Sequence, residues 1–212
     1  MAGTLVKICG ISTPETLAAC IAGRAEWVGL NFFAPSPRFV TSAVAARLAG
    51  HAGDAIRKAG VFVDADDAAL AEAVAAGRLD AIQLHGHEAP ERVAQVKARF
   101  GLPVWKVLSV ASADDVAKAA AYAGAADFLL FDAKTPKGQL PGGMGLAFDW
   151  ALLAAYKGPL AWGLAGGLTP ANVGEAVRLT GAALVDTSSG VESAPGLKDV
   201  DKIAAFCKAA RL

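Results

Sequence analysis

Three side chains that could transfer protons stand at the ends of short apolar runs. Cys9 ends LVKIC directly before a glycine, Asp132 follows FLLF, and His85 follows IQL. A thiolate or an imidazole can remove a proton from carbon, and a carboxylic acid can donate one. Burial behind four apolar residues favours the protonated form of Asp132, whereas an imidazole needs no special environment near neutral pH. These residues are the candidate acid–base groups.

Each candidate also has a purely structural interpretation. Free cysteine is usually a small buried hydrophobe, and Cys20 and Cys207 fit that interpretation because each falls within a helix pattern. Asp132 could instead form a turn, and His85 could bond to a neighbouring loop. For Cys9 the position alone leaves both interpretations open.

Two glycine-bearing turns, GLAGGLTPANV and DTSSGVE, indicate an anion site. Glycines let a ligand approach the backbone, and helix N-termini direct free amides towards an anion. A helix start is predicted at Thr169–Pro170 after the first turn, and a short helix after the second. Turn chemistry alone could explain either one, but the pair on successive units favours a phosphate site. The candidate substrate-binding residues at these two strand ends and turns are Gly166, Gly167, Asp186, Ser188, Ser189 and Gly190.

Two longer loops add further candidates. FFAPSPRF carries Arg38, whose guanidinium fork suits a carboxylate. The segment 133–147, AKTPKGQLPGGMGLA, follows Asp132, and a loop of this length in a compact domain is usually an active-site cover or locally disordered. Both loops are therefore expected beside the site.

The elements that must position these residues alternate between apolar runs and alanine-rich helical patterns. Strands that alternate with helices pair in parallel through right-handed crossovers. Eight such units close a barrel whose chemistry lies at the C-terminal strand ends. An open doubly wound sheet is the alternative, but the first turn, CGIST, lacks its G-x-G-x-x-G fingerprint. We predict an α/β fold, a single (β/α)₈ TIM barrel over residues 1–212, with strands near 4–9, 26–31, 58–63, 80–84, 103–108, 127–131, 159–164 and 182–186.

Composition excludes several classes of protein. Twenty basic and twenty acidic side chains balance, so neither nucleic acid nor an anionic membrane is an expected partner. Three widely spaced cysteines give no disulfide framework and no zinc site. Without a signal peptide or an apolar run of membrane-spanning length, the chain is expected in the cytoplasm. Balanced charge and no evident apolar strip favour a monomer over a homodimer.

Taken together, the motifs resemble the phosphoribosylanthranilate isomerase family over essentially the whole chain. The matching segments, in order, are KICGI, GLNFFAPSPRFV, AGVFVDA, IQLHG, LLFDAKTP, FDW, LAGGLTPANV and VDTSSGVESAPGLKD. The resemblance implies a monofunctional TIM barrel in tryptophan biosynthesis that isomerises an aminoaldose to an aminoketose without cofactor or metal. Many members carry a small polar residue where this chain has Met144.

The resemblance also implies roles for the candidates. Cys9 is the expected general base and Asp132 the general acid. Arg38 is expected to bind the anthranilate carboxylate, the glycine and serine turns the phosphate, and His85 to position the substrate. Three rivals remain: indoleglycerol-phosphate synthase, whose lysine–glutamate set is not found; isomerases built on two aspartates, where the first strand here ends in cysteine; and a non-catalytic sugar-phosphate binder.

Overall fold

The computed structural model describes residues 3–133 and 149–211. Eight parallel strands form a closed barrel in sequence order, with β8 pairing back to β1. The strands are β1 (Leu5–Cys9), β2 (Trp27–Asn31), β3 (Arg57–Phe62), β4 (Ala81–Leu84), β5 (Val104–Val110), β6 (Phe128–Ala133), β7 (Trp162–Leu164) and β8 (Leu184–Thr187). The predicted fold is therefore confirmed.

Helices surround the barrel, and a small antiparallel hairpin of β9 (Glu192–Ala194) and β10 (Leu197–Lys198) follows β8. Single 3₁₀ helices cover Lys118–Tyr122, Trp150–Ala155 and Ser189–Val191. The α-helices are α1 (Pro14–Ala22), α2 (Ser42–Ala52), α3 (Asp67–Gly77), α4 (Pro90–Phe100), α5 (Ala113–Ala117), α6 (Val173–Thr180) and α7 (Val200–Ala209).

Local sequence signals start two of the helices. Thr13 caps α1 by accepting from the Thr16 amide, with Pro14 as the first helical residue. Ser112 caps α5 in the same manner, accepting from the Asp115 amide. These caps satisfy backbone donors that the first helical turn leaves without partners.

Three local predictions need correction. The strand β6 continues through Asp132 to Ala133, so Asp132 lies within the strand and not after it. The helix α6 begins at Val173 and not at Thr169–Pro170, because Asn172 Oδ1 accepts from the Thr169 amide at 2.8 Å and holds the intervening residues in a turn. The segment after β8 forms a single 3₁₀ turn and a hairpin before α7. The predicted loop lies, from residue 134 onward, outside the described residues.

The strands separate two apolar regions. Inside the barrel, the Trp27 and Trp105 rings meet edge to face at 4.6 Å between centroids and pack with Ala59, Ala81, Val107, Leu130 and Leu184. A larger core fills the space between strands and helices. Because side chains alternate along a strand, the inner face of β1 presents Leu5, Lys7 and Cys9. In the described part of the chain, no helix is long and apolar enough to cross a bilayer.

Candidate active site

The inner face of β1 and the neighbouring β8 holds a buried ion pair beside Cys9. Lys7 is 0% exposed, and its Nζ lies 2.7 Å from Asp186 Oδ2. A Cβ built on Gly29 of β2 would lie 3.2 Å from Lys7 Nζ and 2.7 Å from Cys9 Sγ. The ammonium and the sulfur therefore border the same small space, which the missing side chain of Gly29 leaves open.

The surroundings of Cys9 act in opposite directions on its acidity. Burial raises the pKa of the Cys9 thiol above its ordinary value; the Lys7 ammonium opposes that rise, Asp186 adds to it, and Lys198 opposes it. Cys9 as a whole residue is partly exposed to solvent, whereas its thiol is buried. A thiol so placed can exchange protons with a bound molecule and has a cation at hand when it is charged.

His85 and Asp132 lie together on the other side of the barrel mouth. His85 Nε2 is 3.3 Å from Asp132 Oδ2 but forms no hydrogen bond with any described residue, although it is buried. Asp186 Oδ1 is likewise buried and without a partner among those residues. Burial raises the pKa of Asp186, Lys7 lowers it, and the nearby charge of Asp132 raises it again. In the strand order of the barrel, β8 with Asp186 lies between β1 with Cys9 and β6 with Asp132.

The turns after β7 and β8 pack against each other and against Asp132. Gly166 has φ +84°, and a Cβ there would lie 2.7 Å from Asp132 Oδ1. A Cβ on Gly190 would overlap Leu168 O, which accepts from Thr187 Oγ1 at 2.7 Å. Glycine is therefore required at both positions: at Gly166 for its backbone conformation and at Gly190 for the close approach of the two turns.

Three amides of these turns point to an anion site. Among the described residues, the N–H groups of Gly167, Ser189 and Gly190 have no hydrogen-bond acceptor. Ser189 and Gly190 occupy the first positions of a 3₁₀ turn, where amides lack intrahelical acceptors. The predicted side chain of Ser188 is used differently, since its Oγ donates to Cys9 O at 3.0 Å.

Arg38 belongs to a charged cluster beside β1. Its Nε and one terminal nitrogen bond to Glu192, each at 2.7 Å. Glu192 also accepts from Lys198 Nζ at 2.6 Å, and Lys198 donates to Ser188 Oγ at 3.0 Å. Burial raises the pKa of Glu192, but its two cationic partners hold it below its ordinary value. Two cations and one carboxylate leave this cluster with a net positive charge.

The chain also fixes the position of Arg38 from its backbone side. Ser36 Oγ accepts from the Arg38 amide at 3.2 Å and from Asn31 Nδ2 at 3.3 Å. The Arg38 side chain packs on Gly10, whose Cβ position would lie 2.7 Å from Arg38 Cδ. Arg38 thus lies directly above the residue that follows Cys9.

The structure brings the predicted residues of β1, β4, β6, β7 and β8 to one end of the barrel, and adds three that sequence reasoning missed. These are Lys7, Glu192 and Lys198. Lys7 carried a detectable signal, because a lysine two residues before Cys9 in a buried strand must share its face. Glu192 and Lys198 lie in the hairpin after β8, whose fold is not evident from composition. In the described residues, no group of three His, Cys, Asp or Glu is arranged to hold a metal ion.

The arrangement is suited to acid–base chemistry on an anionic substrate. A thiol and a carboxyl group face the same barrel mouth, free amides mark one side of it, and a net positive cluster marks another. Polar atoms without partners, His85 Nε2 and Asp186 Oδ1, remain to bond a substrate. Buried polar atoms of this kind are uncommon, because each costs free energy unless a ligand or water satisfies it.

Comparisons with known proteins agree with this geometry. The model of the family described as N-(5'phosphoribosyl)anthranilate (PRA) isomerase matches residues 6–209. The N-(5'-phosphoribosyl)anthranilate isomerase of Paramagnetospirillum magneticum is 58% identical over 97% of this chain and 96% of that protein. The protein of the same name from Zymomonas mobilis subsp. mobilis is 52% identical over 97% of each chain.

Solved structures of the same enzyme superimpose closely. The phosphoribosyl anthranilate isomerase of Thermotoga maritima has a TM-score of 0.88 at 33% identity, covering 98% of each chain. A structure of phosphoribosyl anthranilate isomerase in complex with reduced 1-(o-carboxyphenylamino)-1-deoxyribulose 5-phosphate has a TM-score of 0.86 at 31% identity, with the same coverage. On the match of sequence and fold, this chain belongs to the N-(5'-phosphoribosyl)anthranilate isomerase family.

Proposed function

We propose that residues 1–212 form one catalytic domain that isomerises N-(5-phosphoribosyl)anthranilate to 1-(2-carboxyphenylamino)-1-deoxyribulose 5-phosphate, with Cys9 as base and Asp132 as acid. This Amadori rearrangement is a step of L-tryptophan biosynthesis. One observation carries the assignment: in the strand order of the barrel, Asp186 on β8 lies between Asp132 on β6 and Cys9 on β1, and it pairs with Lys7 beside the thiol. Both proton-transfer groups therefore reach one bound sugar.

Asp132 opens the sugar ring. The ring oxygen leaves as a hydroxyl when it receives a proton, while the amine lone pair forms an iminium at C1. A carboxylic acid is suited to that transfer, and Asp132 is only 6% exposed, so its proton is directed to the substrate and not to bulk water.

Cys9 then removes the C2 proton, which the iminium has made acidic. The electron pair of the C2–H bond forms the C1–C2 double bond and neutralises the iminium, giving an enolamine. The enolamine tautomerises to the ketone, so atoms and electrons balance without an external oxidant. An internal rearrangement of this kind needs no cofactor or metal.

The polar atoms without partners are proposed to bind the ribose. Asp186 Oδ1 accepts a hydrogen bond from a sugar hydroxyl, and His85 Nε2 lies 3.3 Å from Asp132, where it can orient both the acid and the hydroxyl. His85 is therefore assigned to positioning. His85 Nε2 and Asp186 Oδ1 are two of the buried polar atoms that have no hydrogen-bond partner among the described residues.

The phosphate is proposed to bind at the two turns after β7 and β8. Their free amides, on Gly167, Ser189 and Gly190, are donors of the kind that bind phosphate at helix N-termini. Loops seven and eight are also the common phosphate site of such barrels. Gly166 and Ser188 shape this site, the first through its turn and the second through its bond to Cys9 O.

Arg38 is proposed to bind the anthranilate carboxylate. Its guanidinium lies in a cluster with Glu192 and Lys198 that carries net positive charge, and it adjoins Cys9 through Gly10. Glu192 fixes the plane of the fork by two bonds, so little side-chain freedom is lost on binding. The substrate would then extend from Arg38 across the barrel mouth to the phosphate turns.

The partners and location of the enzyme follow from its composition. The substrate is a small molecule, and the balanced charge favours neither nucleic acid nor a membrane as partner. We propose a cytoplasmic monomer. Light scattering at micromolar concentration would give a mass near 21.4 kDa, and twice that mass would contradict the monomer.

An assay of the purified protein tests the function. Anthranilate fluorescence changes when its amine passes from the aldose to the ketose, so freshly made phosphoribosylanthranilate should lose its signal in proportion to enzyme. The Asp132→Asn variant, purified identically, controls for contaminating activity. No loss of signal with wild-type protein, or equal loss with the variant, would overturn the assignment. Release of carbon dioxide and an indole product from the aminoketose, supplied in place of the aminoaldose, would favour the synthase.

A further inference from the structure

Lys7 is a lysine without solvent contact inside the barrel. It is 0% exposed, and Asp186 Oδ2 is the hydrogen-bond acceptor that the described residues provide for its Nζ. An ammonium has three donors, so one acceptor leaves part of its hydrogen-bonding capacity unused. A buried charge with unused donors is expensive unless another anion uses them.

Cys9 is the group placed to use that capacity. Its Sγ and Lys7 Nζ border the same point beside Gly29, at 2.7 and 3.2 Å, so the two atoms are no more than about 6 Å apart by the geometry of that contact. At this separation two opposite charges interact strongly in a medium of intermediate dielectric constant. An uncharged thiol at this position offers the Lys7 ammonium no opposite charge, whereas a thiolate would be a second anionic partner for it.

We propose that Lys7, held by Asp186, is a positioning residue whose ammonium stabilises the Cys9 thiolate inside the barrel. The inference rests on the proposed role of Cys9 as the base, and it assigns that base its source of activation. Burial raises the pKa of the Cys9 thiol, and among the neighbouring groups Lys7 lowers that pKa most. Lys7 touches neither ring oxygen nor C2 in this account and acts through Cys9.

A second buried lysine shows what a structural pair looks like in the same barrel. We call Lys7–Asp186 the inner pair and Lys106–Glu88 the outer pair. Lys106 Nζ lies 2.7 Å from Glu88 Oε2, with both side chains almost completely buried, but Lys106 alternates with Trp105 and Val107 and so faces the helices. The outer pair therefore matches the inner pair in charge, in its nitrogen–oxygen distance and in its burial. It lies on the other side of the barrel wall.

The charged groups that face Cys9 come from several elements. Lys7 precedes it on β1, Asp186 approaches from β8, and Lys198 approaches from β10. Arg38 packs on the adjoining Gly10. Asp132 and His85, across the mouth, act on Asp186. Lys7 is expected to lower the pKa of the Cys9 thiol and Asp186 to raise it. Variants of the two residues should therefore shift that pKa in opposite directions.

The test measures how fast iodoacetamide alkylates Cys9 between pH 6 and pH 11, followed by mass spectrometry of the peptide containing Cys9. No substrate is present, so the result does not depend on isomerase activity. Lys7→Met is expected to move the midpoint up by one pH unit or more, equivalent to at least tenfold slower alkylation below the midpoint. Asp186→Asn retains an acceptor for Lys7 but removes a negative charge, so its midpoint is expected to move down.

Lys106→Met is the matched control, since it removes an equally buried lysine and should leave the Cys9 midpoint unchanged. Turnover gives a second readout: Lys7→Met should lower kcat at pH 7 at least tenfold, with KM within about twofold, and higher pH should restore kcat. An unchanged midpoint in Lys7→Met, an equal shift in Lys106→Met, or an upward shift in Asp186→Asn would overturn the proposal. If Lys7→Met does not fold, Lys7→Gln is measured in the same way, because it also removes the ammonium but keeps a polar group that can bond Asp186.

A failure of this inference is distinguishable from a failure of the proposed function. Wild-type turnover with unshifted alkylation midpoints would leave the isomerase intact and remove Lys7 from the account. Shifted midpoints in a protein without turnover would support the Lys7–Cys9 coupling and contradict the isomerase.

Discussion

The inner and outer pairs are alike in charge, length and burial but differ in how completely their carboxylates are bonded. In the outer pair, Glu88 accepts from Lys106 and from the amides of Asp64 and Gly86, and Lys106 also donates to Gly86 O at 2.7 Å. In the inner pair, Asp186 Oδ1 has no partner among the described residues. The outer pair is saturated, whereas the inner pair is not.

This difference separates stability from function in one barrel. A saturated pair ties the loops after β3 and β4 to β5 and needs nothing more. An unsaturated pair costs stability in the free protein, and it persists where a ligand or a reacting group completes it. A buried lysine–carboxylate pair is thus structural on the outer face, and on the inner face it is proposed to act on the base Cys9.

The largest expected effect lies on the inner side, at Asp132. Asp132→Asn keeps the shape but cannot donate the ring-opening proton, and a positioned acid contributes about 10²- to 10⁴-fold in rate. Steady-state assays should show kcat lowered by that factor, while urea unfolding shows a midpoint close to the wild type. A variant that loses its fold along with its activity would place Asp132 with the structural residues.

The outer pair should respond in the opposite way. Lys106→Met leaves a buried carboxylate without its cation, and breaking such a pair typically costs about 3–5 kcal/mol. Urea unfolding should show that loss, while kcat of the folded variant at low temperature stays within a few-fold. Lys118→Met removes an exposed lysine from its pair with the buried Asp115, which keeps the Ala111 amide as a hydrogen-bond donor, and should change the unfolding midpoint little. Loss of kcat without loss of stability in Lys106→Met would break the comparison.

Arg38 should show a smaller effect, on binding more than on stability. Arg38→Ala removes a charge-assisted hydrogen bond to the substrate carboxylate, worth roughly 1.5–3 kcal/mol, so KM should rise about 10- to 150-fold. Glu192 keeps Lys198 as its partner, which limits the loss of stability. Arg178→Ala, on the exposed face of α6, is the control with unchanged KM. An unchanged KM in Arg38→Ala would show that the carboxylate binds elsewhere.

The smallest effect is expected at a third pair, Asp64–His87, which is bonded at 2.9 Å but largely exposed. Burial raises the pKa of Asp64, but hydrogen bonds from His87 outweigh it and lower the pKa below its ordinary value. The stabilisation is therefore complete above about pH 4, the unfolded value, and is lost as the pH falls through the folded pKa.

Asp64→Asn measures that contribution, because asparagine tolerates the left-handed backbone of this position, φ +49°. The free energy of unfolding should fall by at most about 1 kcal/mol at pH 7, and the difference from wild type should shrink below pH 4. A difference that grows as the pH falls would contradict the assigned sign.

The sequence predicted the scaffold well because strand and helix signals are local. Apolar runs ended by polar residues located Cys9, His85 and Asp132 at one rim, and the Thr13–Pro14 signal fixed the start of α1. The predicted start of α6 was wrong because the helix start depends on one side chain, Asn172, which accepts a hydrogen bond from the Thr169 amide. Such a choice between turn and helix is not encoded in periodicity.

The charge partners could not be predicted as readily, since they join residues far apart in the chain. Lys7 bonds Asp186 and Arg38 bonds Glu192 only because the barrel closes β8 onto β1. Lys198 reaches Ser188 only because the hairpin folds back. Patterns along a sequence identify which face a residue occupies, but the closed barrel decides which charges meet across it.

The most direct test of the account compares kcat for Cys9→Ser and His85→Asn in one fluorescence assay. A serine hydroxyl is nearly isosteric with the thiol but far less acidic, so it cannot serve as the base at neutral pH. We expect kcat to fall by about 10²-fold or more in Cys9→Ser and by clearly less in His85→Asn. Near-normal turnover in Cys9→Ser, with activity abolished in His85→Asn, would make the histidine the base and contradict the account.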